Sequence, residues 1–374
     1  LPHQTNAINA VLHVFDGIEP KFYTDRTKCP LMTEDIETIK ANIAQIQKGE
    51  KPSCFADGYT VPEILRQNYT DSTSKYLNID IKMETGTGKT YVYTKTMFEL
   101  HRVYGINKFI VLVPTVPIKE GAKAFLKSAY MKSDLQSLYD GTELRLHVLD
   151  AQKQKTKGRK SFPIAIQAFA ENTDLNGNKI DVLLTNSGMV NSAATMDAEY
   201  DQTLLGNFTN PYKVLQSIKP FVIIDEPHKF NRTKGTFKTL VEKIQPQCII
   251  RYGATFPEMG KDKIDYENVV YSLGACASFN NNLVKGVQVE YIAEEDKIKD
   301  QIKIKVLEIS TARGEAKTVR FQNEQTKKTF DLQETDSLSN IDSSFENIHV
   351  SSISKTEVEL SNGMILHKSD SLYP

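Results

Sequence analysis

Apolar positions along this chain fall into two rhythms. Between residues 79 and 252, short strand-like stretches at 79–83, 108–113, 144–149, 181–185, 221–224 and 248–252 predict strands, and the continuous apolar run 220–224 predicts a buried one. Stretches with apolar residues at helical spacing, 91–104 and 119–129, predict helices between the first of them. Strands alternating with helices predict an α/β lobe built on a mainly parallel sheet. Ahead of it, 1–15 reads as an amphipathic helix, with Ala7, Ile8, Val11, Leu12 and Phe15 at helical spacing. Helical patches at 34–47 and 61–68 lie in an otherwise mixed segment. The polar stretches 152–160 and 191–212 interrupt the alternation. Beyond Val287 the runs 302–309, 316–322, 328–332, 348–353 and 357–360 predict short strands, and Asn362-Gly363 predicts a hairpin turn. The expected organisation is therefore an N-terminal helical segment (1–78), the α/β lobe (79–286) and a smaller antiparallel β-rich domain (287–374).

Composition narrows the class without changing that picture. The chain has 374 residues, room for two or three domains, with an ordinary globular content of 40% hydrophobic and 25% charged residues. A net charge of −1 gives no global support for nucleic-acid binding, so any basic track has to be local. Cys29, Cys54, Cys248 and Cys276 are far apart and form no C-x-x-C pair, which argues against disulfides and zinc and for a reducing cytoplasm. No apolar stretch reaches the length of a membrane span and no signal peptide is visible, so no membrane association is expected. A start at Leu1 rather than Met suggests a piece of something longer.

Candidate chemistry lies at the ends of two of the predicted strands. After 79–83 comes Thr85-Gly86-Thr87-Gly88-Lys89-Thr90, and a predicted helix follows. Gly86 and Gly88 let backbone N–H groups turn inward to cradle phosphates. Lys89 can reach β- and γ-phosphates, the Thr90 hydroxyl can hold Mg²⁺, and the positive end of the helix faces the anion. The pattern departs from G-x-x-x-x-G-K-T at its first position, where Met83 stands. A chance glycine-rich turn is the bland alternative; the strand–loop–helix order argues against it. Asp225-Glu226-Pro227-His228 follows the run Pro220-Phe221-Val222-Ile223-Ile224. Two carboxylates at the carboxyl end of a buried strand sit where open α/β sheets bind ligands, whereas a bare Asp-Glu pair is ordinarily solvated. Asp225 is the expected Mg²⁺ ligand and Glu226 the residue that polarises the attacking water. The pair of motifs predicts that the chain binds ATP and Mg²⁺.

With these motifs placed, the chain resembles the first motor lobe of superfamily 2 helicases and translocases, a RecA-like P-loop NTPase lobe. Asp225-Glu226-Pro227-His228 matches the DExH form of that family's second motif, and Gly253-Ala254-Thr255 resembles its third. Pro114-Thr115 resembles motif Ia and Thr185-Asn186 the threonine-containing motif that touches nucleic acid. Gln4, in Leu1-Pro2-His3-Gln4, resembles the adenine-reading glutamine. The resemblance implies duplex-DNA contacts at Pro114, Thr115, Thr185 and Asn186, and coupling to a second lobe through His228 and Thr255.

Within that superfamily, Met83 through Thr90, Val113-Pro114-Thr115, Lys219 through His228, and Gly253-Ala254-Thr255-Phe256 look like the Res subunit of type III restriction–modification enzymes. That resemblance implies a DNA methyltransferase (Mod) partner, DNA-dependent ATP hydrolysis, a nuclease domain near the C-terminus and a bacterial or archaeal cytoplasm. The β-rich segment then sits where the family inserts a domain between its motor lobes. The family's second lobe should bring an arginine in a pattern resembling Gln-x-x-Gly-Arg-x-x-Arg. Arg313 and Arg320 are the arginines after Thr255 and neither lies in one. The tripeptides Glu295-Asp296-Lys297 and Glu315-Ala316-Lys317 read as charged turns rather than a nuclease centre. Lys153, Lys155, Lys157, Arg159 and Lys160, and Lys229 with Arg232, are either solvated charge or a DNA track. Two alternatives stay open: another superfamily 2 motor, such as a type I restriction motor or repair helicase, and a non-motor ATP switch.

Overall fold

The computed structural model describes the chain except for positions 26, 52–58, 67–75, 152–160, 172–177, 234, 261–262, 286–301 and 312–315. The basic stretch 152–160 and Glu295-Asp296-Lys297 therefore lie outside the described residues, as do Arg313 and Glu315. The chain divides into two compact units, Leu1–Gly286 and Val287–Pro374.

The first unit is built on seven strands: β1 (Leu77–Met83), β2 (Lys108–Val113), β3 (Glu143–Val148), β4 (Lys179–Asn186), β5 (Phe221–Asp225), β6 (Cys248–Gly253) and β7 (Val269–Leu273). All pair in parallel, in the order β3-β4-β2-β5-β6-β1-β7. The first six strands fall on the predicted strands; β7 is not among them, although Val269–Leu273 is itself a short, mostly apolar run.

Helices cover both faces. Ile79, Ile81, Ile223, Ile250 and Tyr252 pack into one cluster with the helices α1 (Pro2–His13), α2 (Ile36–Lys48), α3 (Lys89–Tyr104) and α4 (Val116–Leu126). Ile110, Leu112, Val222, Ile224 and Ile249 face the opposite cluster, with residues from the helices Ile164–Glu171 and Pro211–Ile218. The N-terminal helices contribute to the same core: Ala7, Ile8, Val11, Ile39 and Ile43 are buried in it.

Element ends differ from the sequence expectation for identifiable reasons. α4 starts at Val116 because Thr115 is its N-cap and Pro117 sits in its first turn, where a missing N–H costs nothing. α3 begins at Lys89, since Gly88, at φ +89°, ends the phosphate loop directly before it. The polar stretch 191–212 holds the helical turn Ala193–Met196 and the start of Pro211–Ile218, capped by the Asn210 side chain on Tyr212 N–H. Of 61–68, one 3₁₀ turn, Glu63–Leu65, is described.

The described residues of the second unit form two antiparallel sheets and two 3₁₀ turns, Leu338–Asn340 and Ser343–Phe345. β8 (Ile304–Ser310), β9 (Thr318–Asn323), β10 (Thr329–Leu332) and β14 (Ser371–Leu372) form an antiparallel sheet in the order β10-β9-β8-β14. β11 (Val350–Ile353), β12 (Glu357–Leu360) and β13 (Ile365–His367) form a second. Gly363, at φ +81°, lies in the β12–β13 turn predicted at Asn362-Gly363. Val306, Phe321, Phe345 and Val358 share one buried core.

Candidate active site

Strand order brings the candidate residues together. β6 lies between β1 and β5, so the phosphate loop after β1 and the Asp225-Glu226 pair after β5 flank Gly253-Ala254-Thr255 at the carboxyl end of β6. Two strand spacings separate β1 from β5, roughly 10 Å, a gap that long side chains close. Lys89 Nζ reaches Glu226 Oε1 at 3.3 Å, and Glu226 Oε2 lies 3.4 Å from His228 Nδ1. Lys89 is 8% exposed, so its charge is shielded from bulk water.

The phosphate loop takes its shape from its glycines. Gly86 and Gly88 have φ of +86° and +89°, in the left-handed region open to glycine. Thr87 Oγ1 donates to the Glu84 carbonyl at 2.7 Å. At the position where the motif usually has glycine, Met83 is the last residue of β1, fully buried in the core and outside the positive-φ region, so it needs no glycine.

α1 closes the other side of the loop. Gln4 Nε2 donates to the Thr87 carbonyl at 3.4 Å and lies so close to Gly88 that a Cβ there would stand 2.5 Å from it. His3 Nε2 is 3.0 Å from the same carbonyl. His3 was not singled out from the sequence; a histidine beside a candidate adenine-reading glutamine was the available signal.

The second motif is a strained, tightly held turn. Asp225 ends β5 at 6% exposure, and Glu226 adopts φ +54°, a left-handed conformation that costs a non-glycine residue about 1–2 kcal/mol. Glu226 N–H donates to the Tyr252 carbonyl at 3.1 Å, and the Pro227 ring packs on Gly253, where a Cβ would stand 2.4 Å from Cδ. Burial, then the neighbouring Glu226 carboxylate, pushes the Asp225 carboxyl up to about 6, against the pull of Lys89. Asp225 Oδ1 is buried with no hydrogen-bond partner among the described residues. An ionisable oxygen so placed fits a site that receives a cation, because burying it unpaired is costly otherwise. Burial pushes the Tyr93 hydroxyl up, with the Asp225 charge adding to the shift and the Thr90 side chain opposing it.

The candidate nucleic-acid residues divide. Pro114 and the exposed Thr115 follow β2, and the Pro114 carbonyl accepts from Ser187 Oγ at 2.9 Å, tying the ends of β2 and β4. Thr185 and Asn186 are 1% and 7% exposed, and the Asn186 carboxamide oxygen accepts from Met189 N–H at 3.0 Å as a helix cap. Thr185 and Asn186 are therefore buried at the end of β4, and Thr115 is exposed at the end of β2. Thr255 is exposed after β6, and Arg232 is buried rather than part of a basic track. No helix among the described residues is long and apolar enough to cross a membrane.

Comparison with known proteins finds relatives of this chain. The family described as "Type III restriction enzyme, res subunit" matches residues 2–258. The chain is 38% identical to the EcoP15I Res subunit of Escherichia coli over 376 aligned positions, covering 100% of this chain and 36% of that protein. It is 40% identical to the StyLTI Res subunit of Salmonella typhimurium over 78% of this chain and 27% of that one. A solved nuclease-deletion mutant of the Type ISP restriction-modification enzyme LlaGI in complex with a DNA substrate mimic shares 13% identity, at a TM-score of 0.30, over 57% of this chain and 19% of that chain. The chain thus spans about a third of the length of the curated relatives it matches. On the match across residues 2–258, the chain belongs to the family of type III restriction enzyme Res subunits.

Proposed function

We propose that this chain is the ATP-hydrolysing first motor lobe, with an accessory β domain, of a DNA translocase acting in type III restriction. The observation that carries the reading is the junction of Lys89 and Glu226 at 3.3 Å beside the unpartnered Asp225 oxygen. A phosphate-binding cation and two carboxylates converge at one sheet edge, and phosphoryl transfer demands such positioning and charge neutralisation. In this reading Thr85, Gly86, Thr87 and Gly88 hold the phosphates through backbone N–H groups, Lys89 neutralises the β/γ-phosphate charge and Gln4 reads the adenine. Thr90 and Asp225 would hold Mg²⁺, which supplies further charge neutralisation. Glu226, held beside Lys89 at 3.3 Å, orients the attacking water. His228 and Thr255 would couple the site to a second lobe.

Duplex DNA would pass the exposed end of β2 at Pro114 and Thr115. Family membership supports a methyltransferase partner and a nuclease centre elsewhere in the longer protein, and a bacterial or archaeal cytoplasm. The test is steady-state ATPase activity of the full-length protein with and without duplex DNA. DNA-stimulated turnover that disappears in Lys89→Ala supports the reading; turnover indifferent to DNA favours a non-motor ATP switch.

A further inference from the structure

The turn that presents Glu226 is fixed at its far end by a residue the mechanism does not use. Six residues after Glu226, Arg232 is buried, with its side chain 4% exposed. Its Nε donates to Asp265 Oδ1 at 2.6 Å, its Nη1 donates to the Tyr76 hydroxyl at 3.2 Å, and Nη1 also pairs with Glu267. Its guanidinium sits over the Phe237 ring, 5.4 Å from the centroid.

Asp265 is in turn immobilised from the sheet. Asp80 on β1 and Arg251 on β6 are register partners in neighbouring strands, and both are fully buried. Arg251 grips Asp80 with two hydrogen bonds, Nε to Oδ1 at 2.7 Å and Nη2 to Oδ2 at 2.6 Å. Its remaining donors reach Asp265 Oδ2 at 2.9 Å and the Asp265 carbonyl at 2.8 Å. The Arg251 guanidinium also sits over Phe256, the residue after Thr255, 5.2 Å from the ring centroid. Asp80 additionally accepts from Glu267 N–H at 2.7 Å.

We propose that Arg232 is a positioning residue for Asp225 and Glu226, anchoring the turn after β5 to a buried cluster of Asp80, Arg251, Asp265 and Glu267. The turn from 226 to 232 is then held at three places: Glu226 on the Tyr252 carbonyl, Pro227 on Gly253, and Arg232 in the cluster. A left-handed Glu226 persists only while its surroundings over-determine it, and the Arg232 anchor supplies part of that constraint. A fork-shaped guanidinium suits the task because it binds several acceptors in fixed geometry, which an ammonium cannot. The phosphate loop lies on the other side of Glu226 and keeps its own glycine-determined shape. Loss of the anchor should therefore misplace the water-orienting carboxylate while leaving nucleotide binding intact.

This inference rests on Glu226 being the hydrolytic carboxylate, and the experiment separates the two claims. In full-length protein with saturating duplex DNA, kcat and KM for ATP are measured for wild type, Arg232→Met, Arg232→Lys, Asp265→Asn and Glu226→Gln, alongside thermal melting. We expect kcat to fall at least tenfold in Arg232→Met and Asp265→Asn with KM within about threefold of wild type, and Arg232→Lys to recover part of the loss. Should Arg232→Met not fold, Arg232→Lys decides: a several-fold fall in kcat with KM held supports the anchor. A folded Arg232 variant with wild-type kcat, or one whose loss lies in KM, overturns the positioning role. Normal turnover in Glu226→Gln would instead overturn the site reading itself.

Discussion

At the scale of single residues, Lys89 and Glu226 touch, yet they do different jobs in the proposed cycle. Lys89→Ala removes the fixed positive partner of the β/γ-phosphates and should abolish DNA-stimulated turnover together with tight ATP binding. Glu226→Gln keeps shape and hydrogen bonding but loses the carboxylate that orients water, so it should retain ATP and not hydrolyse it. Nucleotide-binding and turnover assays on the two variants read the difference; equal loss of affinity in both would remove Glu226 from the hydrolytic role. Thr115 is exposed at the end of β2 and, in the proposed reading, would meet a DNA phosphate. Thr115→Ala should weaken binding to all sequences alike and leave the salt slope of affinity unchanged, because a hydroxyl neutralises no phosphate charge and releases no counterion. A loss confined to one DNA sequence would mean that this position reads bases.

At the scale of elements, the ends of β1, β5 and β6 act as one platform because their loops are packed on one another. Gly253→Ala is a sharp probe of that packing: its Cβ would stand 2.4 Å from Pro227 Cδ and 2.7 Å from Cγ. Overpacking of this kind costs about 1–3 kcal/mol. The variant should melt several degrees lower and turn over ATP more slowly, as the Pro227 ring and Glu226 are pushed aside. Wild-type melting and kcat would show that the turn yields without cost.

The β1–β6–β7 end of the sheet also carries a pH dependence. Asp80, Asp265 and Glu267 face two guanidiniums, so full ionisation would leave one net negative charge in a buried space. Burial, opposed by Arg232 and reinforced by Asp80, pushes the Glu267 carboxyl up to about 7 from 4.5. The folded protein therefore holds this proton more tightly than the unfolded chain. Stability from this group is fully present below pH 4.5 and is lost as pH rises through about 7, by up to about 3 kcal/mol. Glu267→Gln mimics the neutral acid at every pH. Denaturant unfolding at pH 5 and pH 8 should show the difference between variant and wild type moving toward the variant at the higher pH; a pH-independent difference would show that Glu267 does not titrate in this window.

At the scale of the whole molecule, the proposed reading gives this chain one wall of a nucleotide cleft. Stabilising the transferred phosphoryl group calls for an arginine worth roughly 10³–10⁵ in rate. Arg320, in the β unit, is committed to Asp331 through hydrogen bonds of 2.7 and 2.9 Å and to Glu308 at 3.4 Å. The chain alone should therefore bind ATP weakly and hydrolyse it far more slowly than the full-length protein, even with saturating duplex DNA. Robust DNA-stimulated turnover by the isolated chain would mean that an arginine within it completes the site.

The sequence by itself determined the parts whose cause is local. Strand-like stretches marked six of the seven strands of the sheet, most plainly β2 and β5, whose apolar runs suit strands buried on both faces. Phosphate chemistry marked Gly86, Gly88 and Lys89, because only glycine takes those turns freely and only a long cation reaches the phosphates. The tertiary structure decided what depends on residues far apart in the chain. Strand order set β6 between β1 and β5 and so placed Lys89 against Glu226. Burial turned Thr185 and Asn186 inward and left Thr115 out, which the adjacent motifs could not distinguish. β1 alternates Leu77-Asn78-Ile79-Asp80-Ile81-Lys82-Met83, a hint that one face is polar, but the partners of Asp80 lie at 251 and 267. Long-range ion pairs leave no periodic trace in sequence, since their energy depends on desolvation and geometry that exist only once the sheet has formed.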